Sequence, residues 1–158
     1  MMGRKLISIL IAVLLCACAR ETSVSLSEPS FSPETAAGLF SSVMPEYDTL
    51  SKEALIQLLQ LDSGTVESAS AALGRNGSPE MIIAVKSVTE QDALKATEKL
   101  SYYAETLKNT AGLYNPGQLS LLENAWTYTD GTYSFLIISS SADDLKAALI
   151  QSLETAGK

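Results

Sequence analysis

Trp126-Thr127-Tyr128-Thr129-Asp130-Gly131-Thr132-Tyr133-Ser134-Phe135-Leu136-Ile137-Ile138 is the stretch whose reading decides the fold. Two runs of aromatic and β-branched residues flank an Asp-Gly pair, a strong short-range hairpin signal. With Asp130 and Gly131 as the turn residues, Tyr128 is expected opposite Tyr133 and Trp126 opposite Phe135, with Ile137 on the same face. The other face then carries Thr127, Thr129, Thr132 and Ser134, with Leu136 and Ile138 further in.

Working outward, Met81 to Val88 reads as another strand, and Val66 to Leu73 as a weaker one of small residues. Between them Gly74-Arg75-Asn76-Gly77-Ser78-Pro79 is a turn cluster. Asn76-Gly77-Ser78 also matches a glycosylation sequon, but turn chemistry explains it better. Each hairpin is followed by a helix start. Thr89 with Asp92 three residues on is a capping-box variant, after which Ala93, Ala96, Leu100, Tyr103, Ala104 and Leu107 recur at helical spacing. Asn115-Pro116-Gly117 ends that helix, and Leu119 to Glu123 reads as one further turn. Ser141 with Asp144 repeats the capping pattern ahead of Leu145, Ala148, Leu149 and Leu153.

Upstream, Ser32-Pro33 is a serine cap followed by proline at the first helical position, and Pro45 stops the helix that carries Ala36, Leu39, Phe40 and Met44. Ser51 caps a second short helix with Leu55, Leu58 and Leu59 as its buried stripe. The expected fold is α+β: about four mainly antiparallel strands in two hairpins, each followed by a helix, with helices packed on one face and two short helices ahead of them.

The start of the chain carries an address. Gly3-Arg4-Lys5 is basic, Leu6 to Leu15 is apolar, and Leu15-Cys16-Ala17-Cys18 closes the run. This pattern is an export signal, since Arg20-Glu21 cuts the apolar run far short of the roughly 20 residues that span a bilayer. Leucine three positions before Cys18 and alanine directly before it resemble a lipoprotein processing site. Cys18 is therefore the expected lipidation residue, first in the mature chain and carrying diacylglycerol. Two acyl chains anchor stably where one does not. The expected organisation is a signal peptide over 1–17, the lipidated cysteine and a serine-rich tether over 18–32, and a single domain over 33–158. The expected location is the extracytoplasmic side of the cell membrane.

Losing Arg4 and Lys5 with the leader moves the formal charge from −7 to −9. Such a surface repels phosphate backbones, so no nucleic-acid partner is expected. Both cysteines lie at or before position 18, which leaves the domain no disulfide and no thiolate. The chain contains no histidine, which removes Ser-His-Asp catalysis and histidine-ligated metals. No cofactor is expected. Carboxylate chemistry has Asp143-Asp144, and Glu123 beside Trp126, as nominal candidates. A serine-lysine pairing has Ser51-Lys52, or Ser139 with Lys146. A binding role has the Thr127, Thr129, Thr132 and Ser134 face, if helices cover the aromatic one, and separately Tyr102 and Tyr114 as an aromatic contact patch near the long helix.

The leader, Tyr47-Asp48-Thr49-Leu50, Pro79-Glu80-Met81-Ile82-Ile83, Tyr114-Asn115-Pro116-Gly117-Gln118 and the hairpin from Trp126 to Ile138 together resemble a group of small Gram-positive lipoproteins classed as a domain of unknown function. The likeness spans Phe40 to Leu153. It implies a surface lipoprotein and carries no catalytic residues with it. The expected function is a non-enzymatic binding or accessory protein of the envelope, held to the membrane by its lipid and engaging an envelope protein partner. The alternatives are a carboxylate-dependent hydrolase of cell-wall glycans and a structural spacer.

Overall fold

The computed structural model describes residues 30–157; Cys18, the signal peptide and most of the tether lie outside them. Helix α1 (Pro33–Leu39) starts as the sequence implies, with the Ser32 hydroxyl accepting from the Thr35 amide at 3.3 Å and proline in the first turn. A short 3-10 turn, Phe40–Ser42, follows. Strand β1 (Tyr47–Leu50) leads into α2 (Lys52–Leu59), capped by Ser51 through the Ala54 amide at 3.4 Å. Strands β2 (Val66–Gly74) and β3 (Met81–Ser87) form the first hairpin. Helix α3 (Glu90–Tyr114) begins where the Thr89 hydroxyl accepts from the Asp92 amide at 3.1 Å. A 3-10 turn at Pro116–Gln118 and the one-turn helix α4 (Leu119–Glu123) lead to β4 (Trp126–Asp130), β5 (Tyr133–Ile138) and α5 (Ala142–Ala156).

The class is α+β as expected, and the sheet is wholly antiparallel in the order β1-β2-β3-β5-β4. It gains a fifth strand, because Tyr47–Leu50 pairs along the outer edge of β2. The helices do not share one face. Met81, Ile83, Val85, Leu136 and Ile138 pack with Leu55 and Leu59 of α2, Leu100 and Ala104 of α3, and Leu122 of α4. Ile82, Ala84, Phe135 and Ile137 pack on the opposite side with Ala36 and Ala37 of α1 and Leu145 and Leu149 of α5. The physical reason is the central pair of strands. Met81-Ile82-Ile83-Ala84-Val85 and Phe135-Leu136-Ile137-Ile138 are apolar on both faces, and an unbroken apolar strand needs a cover on each side. Two helical layers therefore sandwich the sheet.

The hairpin turn sits one residue later than expected. Asp130 pairs with Tyr133, Tyr128 with Phe135 and Trp126 with Ile137, so Gly131 and Thr132 are the turn residues. Gly131 has φ +54° while Thr132 is not among the positive-φ residues, the pattern of a turn with glycine first. The shift moves each strand's partner by two positions, so the two faces keep the residues assigned to them. Packing also begins earlier than residue 33. Phe31 is buried, sets its ring edge-on to Tyr133 and Phe135, and accepts a 2.8 Å hydrogen bond from the Tyr133 hydroxyl at its carbonyl.

Candidate binding surfaces

The polar face of the second hairpin follows from strand alternation, and α3 lies across it. The Thr129 and Thr97 hydroxyls share a 2.6 Å hydrogen bond, and the Ser101 hydroxyl donates to Thr127 Oγ1 at 3.2 Å. Ser134 is fully buried and donates to the Ala93 carbonyl at 2.7 Å. Thr132 sits in the turn, half-buried. Thr127, Thr129 and Ser134 are thus brought together, but as the polar seam between sheet and helix. A partner strand cannot reach them without displacing α3. The aromatic face is half-buried too: Trp126 stacks on Tyr128 at 5.0 Å, and Lys146 Nζ lies 5.5 Å from the Trp126 ring.

Of the nominal carboxylates, Asp143 and Asp144 lie in the first turn of α5, and Glu123 ends α4, exposed. Asp143 and Asp144 line a groove of about 820 Å³ with Ser120, Asn124 and Ser139–Ser141. The Asp143 side chain is 99 % exposed and pairs with Lys146 at 3.3 Å. Ser141 does not cap α5 with its side chain. Its amide donates to Ser139 Oγ at 3.1 Å. The Ser139 hydroxyl donates to Glu80, so its contact is a carboxylate and not Lys146.

In the sequence Glu80 stands out only within Pro79-Glu80-Met81-Ile82-Ile83, one of the stretches that carry the resemblance. Its Oε1 accepts from the Ser139 hydroxyl at 3.2 Å and from the Ser140 amide and hydroxyl at 2.8 Å each. Burial pushes its carboxyl up, but the hydrogen bonds from Ser140, Ser139 and Ser78 outweigh this and hold it below the ordinary carboxylate value. Glu80 thereby ties the start of β3 to the β5–α5 loop, a pairing between residues 59 and 60 positions apart. No local signal could announce it.

Residues 43–139 match a domain of unknown function, DUF4358. The chain belongs to that family. The DUF4358 match takes in all five strands with α2, α3 and α4, and ends at Ser139 on the Glu80 latch. Helices α1 and α5, which cover the second face, lie outside it. No curated protein and no solved structure matches the chain.

Tyr102 and Tyr114, the other expected contact residues, belong to α3. Both stand out from α3, and Leu113 and Tyr114 at its end are 77 % and 83 % exposed.

Proposed function

We propose that this DUF4358 protein is a lipid-anchored lipoprotein of the extracytoplasmic membrane face, whose domain is a non-enzymatic binding or accessory module of the cell envelope. The observation that carries the reading is Leu15-Cys16-Ala17-Cys18 behind a basic and apolar leader. Among the described residues no helix is long and apolar enough to cross a membrane, which is compatible with a lipid anchor. The sequence offers no histidine and no thiol beyond position 18 for catalysis. Asp143, held in solvent beside Lys146, gives the glycan-hydrolase alternative no support.

Metabolic labelling with an alkyne analogue of palmitate tests the anchor. The wild-type chain is expected to take the label and sediment with membranes, and Cys18→Ala is expected to lose the label while Cys16→Ala keeps it. Label retained by Cys18→Ala removes the assignment of Cys18. Cross-linking of the labelled form in cells is expected to trap one reproducible envelope partner.

A further inference from the structure

Helix α1 is only seven residues long and leaves one corner of the sheet uncovered. There a recess of about 480 Å³ opens between α1, β1 and β2. Glu34, Ala37 and Gly38 form its helical wall, and Thr49, Ser68 and Ser70 lie on the sheet side. Lys52, at the start of α2, stands at its rim.

Two features of the lining bear on a ligand. Ser70 is nine-tenths buried, and its hydroxyl makes no hydrogen bond within the described residues. No fully enclosed side-chain oxygen or nitrogen among those residues lacks a partner, so Ser70 Oγ must open into the recess. Thr49 and Ser68 likewise make no side-chain hydrogen bond there, giving three unused hydroxyls on one patch of sheet. The second feature is charge. Arg75, Lys86, Lys95, Lys108 and Lys146 each pair with a carboxylate; among the described residues Lys52 and Lys99 pair with none, and of these two Lys52 is the half-buried one, donating to the Glu67 carbonyl at 3.2 Å. An ammonium has three donors, so Lys52 keeps two. Glu34 is also outside every ion pair among the described residues. Gly38 leaves the helical wall open, since an added Cβ would meet nothing within 4 Å there, as at Gly77, Gly112 and Gly131.

We propose that this recess binds a small zwitterion of the α-amino acid type. Its carboxylate would accept from Lys52 and the sheet hydroxyls, and its ammonium would donate to Glu34. Charge-assisted hydrogen bonds of this kind give both strength and orientation. The volume lies within the range of small-molecule sites, roughly 300–1,000 Å³. The assignment rests on the binding half of the proposed function and makes no use of the anchor.

The test is an amide-shift titration of the full chain in detergent micelles, using L-alanine, acetate, methylamine and glucose as probes. L-alanine is expected to shift Gly38, Thr49 and Ser70 saturably, with a Kd about tenfold or more below those of acetate and methylamine. Lys52→Gln and Glu34→Gln are each expected to weaken L-alanine about tenfold. Ser70→Ala should weaken it while moving Tm by less than about 2 °C, because its hydroxyl has no internal partner to lose. Gly38→Leu fills the recess from a helical position with free space, and is expected to abolish binding with the fold intact. Acetate binding as tightly as L-alanine, glucose competing for the same residues, or no response to Lys52→Gln would each overturn the proposal. If L-alanine fails while the cross-linked partner persists, the recess is dismissed and the binding reading stands; if both fail, that reading falls with it.

Discussion

Glu80 makes more long-range hydrogen bonds than any other side chain among the described residues, and its energetics are set by charge. Its carboxylate accepts from Ser139 and twice from Ser140, and the Glu80 carbonyl accepts the Gly74 amide at 2.8 Å. Hydrogen bonds to an ionised group contribute about 1.5–3 kcal/mol each when well formed, less where water competes. Glu80→Gln is therefore expected to lower the unfolding free energy at pH 7 by about 1–2 kcal/mol. The pH dependence has a definite sign. The folded-state value lies below the ordinary 4.5, so the ionised group adds stability above that pH and loses it as pH falls through the lower folded-state value. Urea unfolding at pH 7 and at strongly acid pH checks this: the gap between wild type and Glu80→Gln should close in acid. A gap that persists there would assign the effect to packing instead. Ser134 offers a contrast without charge. Its hydroxyl is buried against the Ala93 carbonyl, so Ser134→Ala is expected to cost about 1 kcal/mol at every pH at which the domain folds.

At the scale of elements, most of the fold was legible, because caps, breakers and strand runs are local. Ser32, Ser51 and Thr89 each accept the hydrogen bond that their position implies. Removing one such cap, Thr89→Ala, should cost about 1 kcal/mol by thermal unfolding. What was not legible depends on distant partners. Tyr47–Leu50 has no alternating pattern of its own and becomes a strand only because β2 offers it an edge. The Thr/Ser face of β4 looked open because alternation separates two faces but does not say which helix crosses which. Thr97 and Ser101 lie in α3, 32 and 26 positions from their partners Thr129 and Thr127. Ser70 in the recess was likewise unremarkable in sequence, and Lys52 drew notice only as a neighbour of Ser51, since an unused hydroxyl is visible only after every other partner is placed. One signal was there to be read: Met81-Ile82-Ile83-Ala84-Val85 does not alternate, and so demands cover on both sides. This gives a sharp prediction. Ile82→Ala and Ile83→Ala point to opposite faces, yet both are fully buried and each should cost about 2–5 kcal/mol. In a sheet with one wet face, one of the two would be nearly neutral in denaturant unfolding.

The whole molecule is a sheet covered on both faces by helical layers. The DUF4358 match, 43–139, contains the sheet and the α2–α3–α4 layer but neither α1 nor α5. In the full domain those two helices, with Phe31 and Phe40, close over Ile82, Phe135 and Ile137. Leaving those three side chains in water forfeits about 1.5–3 kcal/mol each, which together approaches the whole net stability of an ordinary domain, about 5–15 kcal/mol. A fragment spanning 43–139 is therefore expected to aggregate or to bind a hydrophobic dye, with no cooperative melting transition. A fragment spanning 30–157 should melt cooperatively, since it keeps Phe31 on Tyr133 and Phe135 and the α5 cover. Differential scanning calorimetry of the two fragments decides the matter. A sharp transition in the shorter one would mean that the second layer is dispensable, and that the apolar run in β3 tolerates an open face.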